Sequence, residues 1–212
     1  MDRKLIPLLA VAMLAAGAAQ AQDNVVKAGI IRYDTHSKTD GIRGIGVPPG
    51  ADAVTGDATT VILVYERTLT PNIGAELVLG VPPRIKANGA GSVAFLGEVL
   101  SARNVAPTFL VNYYFGQPGD TWRPYLGAGI NHTRFTNVTT TLPGATAELS
   151  DSTGLAVQAG VNYAASRQFG LFASIARVDV ETDLVAVSGG AVLQSKIDFR
   201  PVTYSAGVWY RF

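Results

Sequence analysis

The chain has 212 residues, 48% of them hydrophobic, with 23 glycines, no cysteine and a formal net charge of +1. The balanced charge gives no basic surface for nucleic acid, and the absence of cysteine excludes a disulfide framework and a thiolate metal site. A mean hydropathy of +0.23 together with this much glycine leaves two classes of protein, a soluble β-sandwich and a membrane β-barrel.

The chain begins with a predicted signal peptide, residues 1–21. A basic start at Arg3-Lys4, an apolar run over residues 5–16 and an A-x-A pattern ending at Ala21 occur in the order of a secretory signal. The alternative, an uncleaved membrane helix, requires a longer apolar run. We expect cleavage after Ala21, which leaves residues 22–212 as an outer-membrane β-barrel.

Eight strands with a two-residue period are predicted in the rest of the chain. Short connections follow the second, fourth and sixth strands, whereas long loops or a long hairpin follow the others. This asymmetry is typical of an all-β, eight-stranded antiparallel transmembrane β-barrel in the bacterial outer membrane. The predicted strands are residues 25–33, 58–67, 73–81, 104–115, 122–135, 153–165, 169–187 and 191–212.

Aromatic residues concentrate near the short connections and the C-terminus, where we expect a belt at the membrane boundary. Twelve residues are assigned to this belt, namely Tyr65, Tyr113, Tyr114, Phe115, Trp122, Tyr125, Tyr163, Phe169, Phe172, Trp209, Tyr210 and Phe212. The last strand ends on an aromatic and resembles the C-terminal signal of outer-membrane barrels. We therefore expect Tyr210 and Phe212 to be the insertion signal that the barrel-assembly machinery recognises.

The two faces of each strand are assigned by placing the more uniformly apolar set toward lipid. The inward set then divides into an upper apolar part and a lower charged layer near the short connections. An unpaired charge in a narrow barrel is costly, so Lys27 and Arg211 are expected to pair with Glu66 and Glu76. The layer is either a structural plug or a floor that blocks straight passage. The predicted upper lumen-lining residues are Ile31, Ile62, Val64, Val78 and Leu110.

Two features of the long second loop bear on passage through the barrel. Pro82 and Pro83 lack backbone donors at the end of the third strand, and we expect a lateral exit into the bilayer there. The apolar residues 93–100 are unusual in an outward loop. They either form a segment that covers the lumen or contacts lipopolysaccharide, or they extend the hairpin between the third and fourth strands.

Five segments resemble, in order, motifs of the OmpW family of small outer-membrane proteins. The resemblance implies an eight-stranded barrel with an unusually apolar, narrow lumen and passage of small hydrophobic molecules across the outer membrane. A relative in that family assists alkane uptake. Pro48-Pro49, in the first long loop, departs from the family pattern. The segments are NIGAEL at 72–77, PT with YYFG at 107–116, RPYLGAGIN at 123–131, VDVETD at 178–183 and YRF at 210–212.

No spacing in the chain singles out a catalytic or metal site. His36 and His132 are the two histidines, and the alternating Asp179, Glu181 and Asp183 fit a solvated strand face better than a cation site. We therefore expect no enzyme activity, cofactor or metal. The expected protein is a monomeric conduit for small hydrophobic solutes that contacts outer-membrane lipids and lipopolysaccharide. The alternatives are a closed structural or surface-binding barrel, a lipid-modifying enzyme and a secreted lipocalin-like barrel.

Overall fold

The computed structural model describes residues 24–35, 37–39, 41–44, 47–188 and 191–212, so the predicted signal peptide and His36 lie outside the described residues. No helix in these ranges is long and apolar enough to cross a membrane. A single-turn 3₁₀ helix spans Ala94–Leu96. The strands are β1 (Asn24–Asp34), β2 (Ser37–Thr39), β3 (Arg43–Gly44), β4 (Ala51–Thr55), β5 (Ala58–Thr70), β6 (Ile73–Gly80), β7 (Arg84–Gly91), β8 (Glu98–Val105), β9 (Thr108–Tyr114), β10 (Trp122–Thr140), β11 (Ala145–Leu149), β12 (Ser152–Ala164), β13 (Phe169–Val178), β14 (Val180–Ser188), β15 (Ala191–Phe199) and β16 (Val202–Arg211).

Eight of these strands form a closed antiparallel barrel in the order β1, β5, β6, β9, β10, β12, β13 and β16. The ring closes between the first and last strands, where Val25 is opposite Arg211 and Asp34 is opposite Val202. Alternate residues point inward and outward, because successive side chains of a strand lie on opposite faces. The predicted fold class, an eight-stranded antiparallel β-barrel, is confirmed.

The other eight strands form an extension above the barrel, on the side away from the short connections. Much of the predicted long loops is therefore strand. The prediction that residues 169–187 and 191–212 each form one continuous strand was wrong, because β13 and β14 separate at Asp179, and β15 and β16 separate at Arg200-Pro201. Pro201 has no backbone N–H, so it cannot continue a ladder as a donor.

The apolar residues 93–100 lie at the tip of the hairpin that β7 and β8 form in the extension. The 3₁₀ turn closes this hairpin, and the Phe95 side chain is 81% exposed. Of the two expectations for this segment, the extended hairpin matches the structure.

The outer surface of the barrel is apolar around its middle, as lipid contact requires. Rings pair near the short connections, with centroids 4.7 Å apart for Trp122 and Tyr163 and 4.8 Å apart for Phe169 and Tyr210. Such a ring of amphipathic aromatics is typical of a membrane–water boundary. Exposed apolar side chains around the middle include Val61, Leu63, Phe109, Val111, Leu126, Ile130, Leu155, Val157, Leu171 and Val208.

Deleting Phe212 is expected to reduce the amount of protein in the outer membrane severely. The Phe212 N–H donates to the Asn24 carbonyl at 3.0 Å, and its ring stacks on Tyr210 at 6.1 Å, so the residue helps to close the barrel. Fractionation and heat-modifiable electrophoretic mobility measure the assembled fraction. Phe212→Tyr, which keeps an aromatic ring, is the control. Unchanged outer-membrane levels after the deletion would contradict the role of Phe212 as an insertion signal.

Candidate functional site

An upper cavity occupies the part of the barrel away from the short connections and is lined by residues of all eight barrel strands. The cavity volume open to a water-sized molecule is about 80 Å³, so the cavity is narrow. Ile62, Val64 and Leu110 are only 2–3% exposed. The structure brings together in this wall all five of the residues predicted to line the lumen, namely Ile31, Ile62, Val64, Val78 and Leu110.

One side of the upper cavity is lined mainly by apolar residues, and the other by a mixture of apolar and polar ones. The five predicted residues come from β1, β5, β6 and β9, whereas β10, β13 and β16 contribute polar side chains beside apolar ones such as Phe172, Ala176 and Val178. The polar groups largely bond one another: Ser174 and Ser205 hydroxyls are 2.6 Å apart, and Thr133 Oγ1 donates to Asn131 Oδ1 at 2.7 Å. Paired polar groups demand less water than free ones, so even the mixed side tolerates an apolar occupant.

The lower end of the upper cavity is closed by Lys27, which is 1% exposed. Its Nζ atom is 2.8 Å from Glu66 Oε2 and 2.8 Å from Glu76 Oε2. The ammonium also lies 5.1 Å from the centroid of the Tyr125 ring and 5.7 Å from that of Phe172. Lys27, Glu66 and Glu76 are together named the floor. Its one cation faces two carboxylates, so the formal charge of the floor is −1.

Neutral donors complete the floor. Asn112 Nδ2 donates to Glu76 Oε2 at 3.0 Å, and Gln158 Nε2 donates to Glu76 Oε1 at 3.1 Å. The Tyr114 hydroxyl donates to Glu66 Oε2 at 2.6 Å. Burying three charges is tolerable only with such additional hydrogen bonds.

Glycines make room for the side chains that fill this level. A Cβ atom at Gly160 would collide with the Tyr125 ring, and one at Gly127 would collide with the Asn112 amide. Only glycine fits at either position without moving a neighbour that takes part in the floor.

Arg211, the fourth member of the predicted charged layer, lies below the floor. Among the described residues it forms no ion pair with Glu66 or Glu76, so the predicted arginine pairing was wrong. Its guanidinium lies over the Trp209 ring at 5.4 Å. The physical reason is that Glu66 Oε2 already accepts from Lys27 and Tyr114. Arg211 instead lines a separate lower cavity at the short-turn end.

The hydrogen-bonded ladder between β6 and β9 is interrupted in the barrel wall, and the interrupted stretch is named the side opening. Their ladder ends where Val78 is opposite Thr108, and in the described chain no backbone hydrogen bond joins residues 79–82 to 105–107. Contact resumes where the Asn104 N–H donates to Pro83 O at 3.1 Å. Leu79 is 40% exposed on the outer surface and also lines the upper cavity, so this residue is reached from both sides.

The predicted exit at Pro82 and Pro83 stays a prediction, and the structure places both prolines beside the side opening. Gly80 and Ala106 line the cavity at this point, while Pro82 and Pro83 occupy the connection between β6 and β7 just above. The Ala106 carbonyl accepts from Asn131 Nδ2 at 3.4 Å instead of from β6. A side chain thus partly satisfies a backbone group that the interrupted ladder leaves free.

The sequence profile of the OmpW family matches residues 20–212. The chain is 30% identical to outer membrane protein W of Escherichia coli over 220 residues, with all of both chains covered. The chain belongs to the OmpW family. It is also 29% identical over 185 residues to the dibenzothiophene metabolism operon protein PahQ of Pseudomonas aeruginosa, covering 86% of this chain and 84% of that one.

A solved structure agrees with this assignment at the level of the fold. The crystal structure of the outer membrane protein OprG from Pseudomonas aeruginosa matches with a TM-score of 0.83 and 24% identity, covering 91% of this chain and 97% of that one. As a member of the OmpW family with this barrel, the protein is located in the bacterial outer membrane.

The OmpW-family segments supply much of the site. NIGAEL places Glu76 in the floor, and RPYLGAGIN places Tyr125, Gly127 and Asn131 along the inner face of β10. The assignment of Tyr125, Phe172 and Trp209 to the lipid-facing belt was wrong, since these rings are 2–5% exposed inside the barrel. Their position in the two-residue alternation, opposite to the apolar lipid face, is the signal that identifies them as inward residues.

Proposed function

We propose that this OmpW-family barrel gives passage to small hydrophobic molecules, which enter the upper cavity from outside and leave through the side opening into the bilayer. The carrying observation is that the cavity ends on a charged floor and adjoins an interrupted ladder at Leu79, Gly80 and Ala106. An apolar molecule that reaches the floor has an apolar way out at the side and a charged barrier below.

The free energy of transferring an apolar solute from water favours exit at the side over passage through the floor. Contact with the apolar side of the wall removes solute surface from water, which is favourable by about 25 cal/mol per Å². Passing the floor would instead place the solute among three buried charges and their hydrogen bonds, which it cannot replace. Two of the apolar residues, Val78 on β6 and Leu110 on β9, lie on the strands that flank the side opening, so apolar surface leads toward it.

The name of one relative agrees with this substrate class. PahQ is named for an operon of dibenzothiophene metabolism, and dibenzothiophene is an apolar aromatic compound. We extend to the present chain only the class, a small hydrophobic solute. No catalytic step is part of the proposal, and within the described residues no group of three or more His, Cys, Asp and Glu residues is placed to hold a metal ion.

Reversible closure of the side opening tests this proposal. The chain has no cysteine, so Gly80→Cys with Ala106→Cys introduces a unique thiol pair that short thiosulfonate cross-linkers can join. We expect cells with the cross-linked protein to take up a small hydrocarbon at the rate of cells lacking it. A membrane-permeant reductant should restore uptake.

The matched control is Ala128→Cys with Val157→Cys. These exposed residues lie directly opposite each other on β10 and β12, a strand pair away from the side opening. Cross-linking there should leave uptake unchanged. Full uptake through the protein with the side opening cross-linked would contradict lateral exit, and indifference of uptake to the protein itself would favour the closed structural barrel.

We further propose that the protein works as a monomer surrounded by outer-membrane lipids, with lipopolysaccharide around the extension. Exposed ion pairs lie at that level, with Lys196 Nζ 3.1 Å from Glu181 Oε2 and Arg200 Nη2 2.9 Å from Asp198 Oδ2. Exposed cations and carboxylates of this kind suit the phosphates and bridging cations of that lipid. Insertion by the barrel-assembly machinery completes the set of proposed partners.

A further inference from the structure

The lower cavity, on the short-turn side of the floor, is a second chamber that the proposed passage does not use. No residue that lines it also lines the upper cavity. The centre of a water-sized sphere can move through about 290 Å³ of it, so it is the roomier of the two. Three arginines line it, namely Arg123, Arg167 and Arg211.

Two of these arginines are held in place by aromatic rings and keep donors free. The Arg123 guanidinium lies 5.0 Å from the centroid of the Tyr114 ring, and Arg211 lies 5.4 Å from that of Trp209. Arg123 Nη2 donates to the Pro71 carbonyl at 2.8 Å. The Nε atoms of Arg123 and Arg211 are buried and have no hydrogen-bond acceptor in the described chain. Turning the Arg211 guanidinium to the cavity therefore breaks no hydrogen bond of the described chain, and Arg123, while it stays bonded to Pro71, has further N–H groups to donate.

The carboxylates of the cavity are already occupied. Glu66 is held by Lys27 and Tyr114, and Asp120 Oδ2 accepts from the Gln117 N–H at 2.8 Å in its turn. The three arginines outnumber the negative charges of Asp120 and of the floor, so the formal net charge around the lower cavity is positive. Guanidinium groups of this kind bind phosphate and carboxylate through paired hydrogen bonds.

A third polar atom without a hydrogen-bond partner limits the chemical class of the ligand. Asn162 Oδ1 is buried, lines the same cavity and has no hydrogen-bond donor in the described chain. Its acceptor oxygen suits a hydroxyl group. The complementary ligand therefore carries an oxyanion and a hydroxyl together, as hydrogen phosphate and the glycerol phosphate headgroup of phosphatidylglycerol do.

We propose that the lower cavity is a phosphate-binding site that opens to the periplasm, in which Arg123 and Arg211 hold the phosphate oxygens and Asn162 accepts from a hydroxyl of the ligand. The phosphate group comes either from a free periplasmic phosphate or from the headgroup of an inner-leaflet phospholipid. The site is separate from the hydrophobic passage and does not depend on it.

Titration of the folded barrel with inorganic phosphate, in an uncharged detergent and without lipid, tests the free-phosphate source. Trp122→Phe leaves Trp209, beneath Arg211, as the sole tryptophan and a fluorescence reporter. We expect saturable binding that Arg211→Gln and Arg123→Gln each weaken by about tenfold or more, since each removes one charged fork. Heat-modifiable mobility verifies that each variant is folded.

Reconstitution in phosphate-free buffer tests the lipid source, with vesicles of phosphatidylcholine alone or with phosphatidylglycerol added. Arg134→Gln is the matched control, because Arg134 is exposed at the other end of the barrel near Asp151, 3.9 Å away. Binding of either probe that both cavity variants lose and the control keeps supports the site and identifies the source. The proposal is overturned if neither probe changes the signal of Trp209, or if both cavity variants bind as the parent does.

Discussion

Replacing Ile62 or Leu110 by aspartate is expected to reduce hydrocarbon uptake to the level of cells that lack the protein. Both side chains are 2–3% exposed and face the upper cavity from the apolar side of its wall. An ionised carboxylate there holds water in a narrow space, and a solute that displaces this water meets a penalty on the order of several kcal/mol. Uptake of a radiolabelled short alkane or small arene measures the effect.

Two controls separate loss of passage from loss of the barrel. Ile62→Leu keeps an apolar side chain of similar volume and should retain most of the uptake. Val187→Asp adds the same charge to β14 in the extension, where the side chain is 41% exposed, and should leave uptake unchanged. Each aspartate variant must reach the outer membrane in folded form. Uptake that survives both lumen substitutions in folded protein would show that solutes do not cross the upper cavity.

Lys27→Met is expected to destabilise the barrel more than any other single change in the floor. The substitution leaves Glu66 and Glu76, both under 5% exposed, without their shared cation. Removing one partner of a buried ion pair typically costs about 3–5 kcal/mol. The temperature or urea concentration at which the heat-modifiable form is lost measures this cost.

A graded series checks that the floor causes the effect. Glu76→Gln should cost less than Lys27→Met, because Lys27 keeps its pair with Glu66. Lys86→Met is the matched control, since its 2.7 Å pair with Glu98 is largely exposed and should contribute about 1 kcal/mol or less. Equal stability of the Lys27 and Lys86 variants would mean that the floor is solvated and that its charges are screened.

The fold was predictable because it depends on the most regular signal in the chain. The two-residue alternation in strands such as β5 and β12 defines which face contacts lipid, and the short connections define which end of the barrel is which. The same alternation placed Ile62, Leu110 and Glu76 inside. These inferences need only local sequence, because in a closed barrel the face of a strand determines whether a side chain points to lipid or to the interior.

The site was less predictable because it depends on which side chains from different strands pair across the barrel. Lys27 and Arg211 carry equal charge and both lie toward the short connections, whereas the hydrogen bonds of Tyr114, Asn112 and Gln158 to the glutamates come from other strands. The side opening likewise depends on a mismatch of residues 79–82 with residues 105–107. The prolines pointed to its neighbourhood, whereas the register that creates the gap is a property of two strands.

The floor also bears on the permeability of the outer membrane to polar molecules. A hydrated ion or a polar antibiotic crossing at Lys27 would have to shed its water among groups that are already paired, which costs far more than thermal energy provides. The two cavities share no lining residue, and the floor lies between them. We therefore expect that many copies can reside in the membrane with little loss of its electrical resistance and little entry of hydrophilic toxins.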